Sequence, residues 1–175
     1  MVEHVAEWNK SLLDEGVTEA YARLSDSRVL CILDAIEAAV WFDLDLNRVS
    51  GFLAERRARG LSVETSNHYL RRITQFGRWM VKDRRAADSP LVCLKLMNAQ
   101  TDRRHDRRAF TDDELHRLFV TARRNRRKSR TSGPDRARLY RLAAETGLRA
   151  REIGRLTPES FRLDEDHPTV VIAAA

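Results

Sequence analysis

Cysteine, glycine, proline and long apolar runs are all scarce in this chain of 175 residues, and each scarcity excludes a class of protein. With 7 Gly and 4 Pro it is neither collagen-like nor of low complexity. No run approaches the roughly 18 apolar residues that a membrane span needs. The two cysteines, Cys31 and Cys93, have no Cys or His nearby at metal-ligand spacing. We therefore predict buried, reduced thiols, with no metal site and no cofactor.

The N-terminal segment is acidic and lacks the basic start and apolar block of a secretory signal, so we expect a cytoplasmic protein. Hydrophobic residues make up 42% of the chain, which is enough to build a buried core.

The positive charge is concentrated in the middle of the chain. Residues 1–70 contain 7 Lys and Arg against 12 Asp and Glu, whereas residues 71–130 contain 18 against 7. Such a block of charge attracts a polyanion, and nucleic acid is the leading candidate. A solvated basic surface or a linker is the alternative that charge alone leaves open.

Helical periodicity is clearest between residues 63 and 84. A buried face is predicted from apolar residues spaced by four, three and four: Tyr69, Ile73, Phe76 and Met80. A second stripe has the same spacing and is mostly cationic: Arg71, Gln75, Arg78 and Lys82. We predict one helix with an apolar and a cationic side, preceded by helices at about 17–40 and 48–59.

The second half begins after a polar, highly charged stretch that is typical of a linker. At Thr111 a helix start is predicted from the capping box that Thr111 forms with Glu114. A helix at about 134–145, a short helix carrying Ile153 and Leu156, and a two-stranded hairpin at 161–172 follow. Because two strands are marginally stable by themselves, we expect this second unit to be incomplete.

Two passages are more specific than the composition. One is residues 61–80, LSVETSNHYLRRITQFGRWM, and the other is residues 142–161, LAAETGLRAREIGRLTPESF. The first resembles the last long helix of the SAM-like core-binding domain of tyrosine recombinases (phage integrases), with Phe76 and Trp79 as its packing pair. The second resembles the box that carries the first catalytic arginine of that family.

The resemblance implies a mainly α chain. Residues 1–97 would form a helical, SAM-like core-binding domain that binds DNA. Residues 98–108 would form a basic linker. Residues 109–175 would form the N-terminal part of an incomplete α+β catalytic domain with a short β-hairpin. Double-stranded DNA is the implied partner, other recombinase protomers are a further one, and no membrane is involved.

The resemblance also implies roles for particular residues. Arg149 is the first catalytic arginine and Glu152 supports it, and a guanidinium offers a scissile phosphate the planar donor fork that lysine lacks. The core-binding helix and the linker imply contacts to DNA from Thr65, Asn67, Arg71, Arg72, Arg78, Arg103, Arg104, Arg107 and Arg108.

The family's other catalytic groups are a hairpin lysine, a His-x-x-Arg box, a His or Trp, and a tyrosine that bonds to the 3′ phosphate. They follow the strand near Val170, and the sequence ends at Ala175. The three tyrosines, Tyr21, Tyr69 and Tyr140, are predicted to be core or boundary residues. We expect a protein of site-specific DNA recombination and integration, typical of mobile elements, that is truncated before these groups and does not cleave DNA alone.

Two other functions stay open. One is a non-enzymatic DNA-binding regulator, which would compete with a full-length recombinase or act in transcription. The other is a helical module whose basic stripe binds an acidic protein. RNA binding is disfavoured because no aromatic-rich strands are present to stack bases.

Overall fold

The computed structural model describes residues 1–104, 108–125, 131–164 and 166–172. The α-helices of these residues are α1 (Val2–Asp14), α2 (Glu19–Ala35), α3 (Leu46–Ala58), α4 (Val63–Lys82), α5 (Asp112–Arg124), α6 (Gly133–Thr146) and α7 (Ala150–Ile153). Short 3-10 helices lie at Trp41–Asp43, Ala99–Asp102 and Pro158–Ser160. Strands β1 (Phe161–Arg162) and β2 (Thr169–Val170) pair antiparallel, with Phe161 opposite Val170. The prediction of a mainly α chain with a short β-hairpin is confirmed.

The chain divides into two compact units, Met1–Asp106 and Arg107–Ala175. The division lies inside the stretch predicted as a linker, but the start of that stretch packs on the first unit. The 3-10 helix Ala99–Asp102 lies against α4, and the backbone N–H of Val63 donates to Asp102 Oδ2 at 2.8 Å. The domain limits 1–97 and 109–175 stay predictions.

Phe76 lies at the centre of the first unit's core and is fully buried. Its ring centroid is 5.6 Å from that of Trp8 and 6.5 Å from that of Trp41, both edge-on, and 6.1 Å from that of Trp79, which is stacked. Each such pair contributes about 0.5–1.5 kcal/mol beyond the burial of area. Because Trp8 is on α1 and Trp41 is in the loop before α3, one phenyl ring joins three segments of the unit.

Helix α1 is missing from the sequence predictions, although its pattern is present. Its buried residues Val5, Trp8 and Leu12 are spaced by three and four, as on one face of a helix. The predicted helix at 17–40 corresponds to α2, which ends earlier because Glu37 adopts a left-handed φ of 52° just beyond it.

The cysteines differ from expectation. Both are free, Cys31 is partly buried, and Cys93 is exposed. The prediction of two buried thiols is therefore wrong for Cys93, because Leu91 is the residue of that apolar segment that enters the core. Within the described ranges, no His, Cys, Asp and Glu side chains form a group of three or more that could hold a metal ion. Nor is any helix among those residues long and apolar enough to cross a lipid bilayer.

The second unit is built on α5 packed against α6 and has a thin core, in which Ala122 is the one buried hydrophobic residue among those described. The predicted capping box is confirmed: Thr111 Oγ1 accepts from the Glu114 N–H at 3.3 Å, and Glu114 Oε2 accepts from the Thr111 N–H at 2.9 Å. The guanidinium of Arg108 and this backbone bond lower the pKa of Glu114 to about 2. Helix α6 ends at Gly147, whose left-handed φ of 70° favours glycine.

Replacing Phe76 by Ala is expected to destabilise the first unit by about 3–5 kcal/mol, because a buried ring that joins three segments leaves a cavity. Urea unfolding followed by tryptophan fluorescence measures this, since all three tryptophans lie in the first unit. Phe42→Ala is the matched control, because the Phe42 side chain is 94% exposed. Its effect is expected to stay within about 0.5 kcal/mol. Equal effects of the two substitutions would contradict the central place of Phe76.

Candidate nucleic-acid interface

One side of α4 carries a polar stripe that faces away from Phe76. The helix begins after Ser62, whose hydroxyl caps it by accepting from the Thr65 N–H at 3.1 Å. Since an α-helix repeats every 3.6 residues, residues spaced by three and four from position 64 onward lie on one line. We call them the α4 stripe: Glu64, His68, Arg71, Gln75, Arg78 and Lys82. They are exposed or half-buried, and only Glu64 is acidic.

A groove of about 440 Å³ lies beside the stripe. Three arginines line it, Arg71, Arg72 and Arg78, and we call it the cationic groove. The rest of the lining is three apolar side chains from α4 and the segment after it, two polar side chains of α4 and one tyrosine of α2: Leu70, Leu94, Leu96, Thr74, Gln75 and Tyr21. The groove therefore combines concentrated positive charge with an apolar wall.

Arg72 is held rigidly at the wall of this groove. Its guanidinium carbon lies 4.3 Å from the ring centroid of Tyr21, and it donates hydrogen bonds to the Tyr21 hydroxyl and, at 2.8 Å, to Gln75 Oε1. A guanidinium stacked on an aromatic face and bonded at its edge has little freedom left. Arg72 thus supplies a positive charge at a fixed position.

Arg71 and Arg78 are more available. Arg71 Nη1 lies 3.2 Å from Glu64 Oε1, and the two side chains are 42% and 51% exposed. Exposed pairs of this kind contribute at most about 1 kcal/mol, so an incoming anion can replace the carboxylate. Arg78 is exposed and forms no hydrogen bond or ion pair with any residue that the structure describes. Both guanidiniums can therefore meet an anion from solution.

Asn67 lies in the interior, which corrects its assignment as a DNA contact. Only 3% of the residue is exposed. Its Nδ2 donates to the Met97 carbonyl at 2.8 Å, and its Oδ1 accepts from the Met97 N–H at 3.0 Å. The amide therefore pins the segment after α4 to the first unit. Thr65 is half-buried, and its hydroxyl is bonded to the Ser62 hydroxyl at 2.8 Å, within the helix cap.

Arg104 bonds to the turn between α3 and α4. Its Nη1 donates to the Gly60 carbonyl at 2.7 Å and its Nη2 to the Leu61 carbonyl at 3.1 Å. Its Nε donates to Asp102 Oδ1 at 3.0 Å. These bonds use three of the five N–H donors of Arg104, and its side chain is 43% exposed, so its contact with phosphates stays a prediction.

The three other arginines of the predicted linker differ in their surroundings. Arg108 is a bidentate partner of Glu114, at 2.6 and 2.8 Å, and its side chain is 66% exposed, so its assignment to phosphates stays a prediction. Arg103 is exposed and makes no hydrogen bond or ion pair within the described part of the chain. Arg107 lies outside the described residues.

In the second unit, Arg149 is the N-cap of α7 and lies three residues after the end of α6. Its backbone N–H donates to Glu152 Oε2 at 2.7 Å, and its Nη1 donates to Glu152 Oε1 at 3.3 Å. The Arg149 side chain is 87% exposed. Glu152 thus holds the first turn of α7, while most of the guanidinium stays open to solvent.

Two residues of the first unit's site are missing from the sequence predictions. Tyr21 lies 51 residues from Arg72, and only the packing of α2 on α4 brings them together. His68, in contrast, could have been found from the sequence, because it lies at the three- and four-residue spacing of the stripe. Its Nε2 lies 3.5 Å from Glu64 Oε1. Desolvation, followed by the charge of Arg28 on α2, lowers the pKa of His68.

Replacing Asn67 by Ala is expected to destabilise the first unit by about 1–3 kcal/mol, because it leaves the Met97 backbone groups without their partner. The affinity of the folded protein for DNA is expected to stay unchanged. Urea unfolding and a binding titration measure the two effects, with Asn47→Ala on the exposed side of α3 as control. A normal stability with a weaker affinity for DNA would instead assign Asn67 to the interface.

Comparisons with protein-family models, with curated proteins and with solved structures found no match to this chain. The relation to tyrosine recombinases therefore stays a prediction from the two quoted passages.

Proposed function

We propose that the first unit binds duplex DNA through the cationic groove. The observation that carries this proposal is the convergence of Arg71, Arg72 and Arg78 on one open groove, with Arg71 and Arg78 exposed. Arg71 and Arg78 are seven residues apart and therefore about 10 Å apart along the axis of α4. Duplex DNA carries one negative charge per about 1.7 Å of its axis, so several phosphates lie within reach of such a row.

The spacing of the arginines favours a duplex over the carboxylates of an acidic protein, because phosphates repeat regularly along DNA. Arg72 is already ordered by Tyr21, so less entropy is lost on binding. Contacts of this kind position a protein on DNA without reading its sequence. The groove therefore accounts for affinity and register, and base contacts have to come from other residues.

We further propose that the chain is related to tyrosine recombinases, with a SAM-like first unit, and takes part in site-specific DNA recombination and integration. Two local arrangements support this proposal. Phe76 and Trp79, the packing pair of the resemblance, are stacked. Arg149 follows a helix-ending glycine, is braced by Glu152, and keeps its guanidinium exposed, as a residue that meets a scissile phosphate requires.

A non-enzymatic DNA-binding regulator is the second candidate, and the positions of the tyrosines favour it. Tyr21 is packed under Arg72, and Tyr69 is half-buried with the guanidinium of Arg28 5.9 Å from its ring centroid. Tyr140 is 41% exposed on α6, without a hydrogen bond to any described residue. A tyrosine nucleophile needs a group that activates it, and none of the three has a basic acceptor at its hydroxyl among the described residues.

The affinity of the chain for a 20-base-pair duplex is expected to fall steeply with salt. If about five phosphates are neutralised, log K changes with log salt at a slope near −4 to −5. Arg78→Ala is expected to weaken binding to all duplex sequences alike and to reduce that slope by about 1. The control is Arg56→Ala, which removes the same charge from the exposed side of α3.

A salt-independent affinity for the duplex would contradict DNA binding. Equal losses from Arg78→Ala and Arg56→Ala would place the contact outside the cationic groove. Polyglutamate that binds as tightly as the duplex at equal salt would favour the acidic-protein alternative.

No covalent adduct is expected when the chain is incubated with a nicked duplex that traps 3′-phosphotyrosyl intermediates. The physical reason is the absence of an activated tyrosine among the described residues. A denaturing gel with end-labelled DNA measures adduct formation, and a full-length tyrosine recombinase on its own nicked site serves as positive control. An adduct that disappears in Tyr140→Phe would show that the chain cleaves DNA by itself.

A further inference from the structure

We propose that Glu64 is a built-in competitor for the DNA phosphate, and that His68, once separated from Glu64, becomes a phosphate contact that takes up a proton on binding. This inference rests on the proposed binding of DNA by the cationic groove. It adds two residues to that site and makes its affinity depend on pH.

Glu64 occupies the position that a phosphate would take. A single oxygen, Glu64 Oε1, lies 3.2 Å from Arg71 Nη1 and 3.5 Å from His68 Nε2. It therefore bridges two neighbouring members of the α4 stripe, as a phosphate oxygen could. Glu64 is the only acidic residue of the stripe and is half exposed, so it can move away without disturbing the core.

His68 stands among more positive than negative charges. The groups that act on it are Arg28 of α2, and Glu64, Arg71 and Arg72 of α4. Desolvation is the largest influence, the three arginines add to it, and together they lower the pKa of His68 against the opposing effect of Glu64. At neutral pH the free protein therefore holds a neutral imidazole in the stripe.

A bound phosphodiester reverses this balance. A duplex brings several phosphates within reach of the stripe, so their summed negative charge exceeds that of the one displaced carboxylate of Glu64. This charge favours the imidazolium and makes the pKa of His68 higher in the complex than in the free protein. The complex then binds more protons than the separate partners. By linkage, affinity is greatest below the pKa of the free protein and falls as pH rises through the pKa of the complex.

Calorimetric titration of the full chain with a 20-base-pair duplex, in two buffers of different ionisation enthalpy, measures the proton uptake directly. We expect uptake of about 0.3–1 proton near pH 6.5, and an affinity about three- to tenfold higher at pH 6 than at pH 8. His68→Gln is expected to remove both effects. The matched control His4→Gln, which alters another His–Glu pair on α1, is expected to keep them.

Glu64→Gln tests the competitor. We expect it to bind DNA about two- to fivefold more tightly than the wild type at pH 8, because Arg71 is no longer paired. Glu55→Gln, which alters the exposed Glu55–Arg59 pair of α3, is expected to change nothing. Unchanged or weaker binding by Glu64→Gln would overturn the role of Glu64.

A steep salt slope without proton uptake would overturn the inference about His68 and leave DNA binding standing. A duplex that fails to bind at any pH would overturn the proposed function, and this inference with it.

Discussion

The burial of Phe76 is the constraint on which the first unit and its candidate interface depend. The ring is enclosed by Trp8, Trp41 and Trp79, and it fixes the rotation of α4 about its own axis. Once one residue of a helix points inward, the 3.6-residue repeat decides where every other residue points. Arg71 and Arg78 face solvent because Phe76 does not. The interface is thus a geometric consequence of the core.

The arginines of the first unit and the linker divide by what they bind. Some tie the chain together: Arg104 closes a turn on two carbonyls, and Arg85 bonds to Asp83 and Glu7 while lying 4.7 Å from the Trp79 ring centroid. Others keep their donors available, as Arg78 does. A count of positive charges therefore overstates the proposed DNA-binding surface, and the hydrogen-bond partners of each guanidinium define it better.

The features that the sequence predicts well are local. The two sides of α4 follow from spacing, and the Thr111 capping box follows from two residues three apart. The features that it misses depend on residues far apart in the chain. Asn67 is buried by Met97, 30 residues later, Arg104 bonds to Gly60, 44 residues earlier, and Arg72 is ordered by Tyr21, 51 residues earlier. Helical periodicity relates residues three, four or seven positions apart, so it cannot reveal contacts between residues 30 to 51 positions apart. A motif that resembles a DNA-binding helix therefore predicts the same role for its polar and basic residues, although their surroundings differ.

The most direct measurement is a titration of the full chain with duplex DNA, monitored by NMR through the side-chain Nε–H signals of its arginines. The account predicts that the signals of Arg71 and Arg78 shift progressively with added DNA, while those of Arg104 and Arg108 keep their free positions because their guanidiniums stay bonded within the protein. Shifts at Arg104 and Arg108 with none at Arg71 and Arg78 would contradict the central claim that the outward side of α4 grips the phosphate backbone.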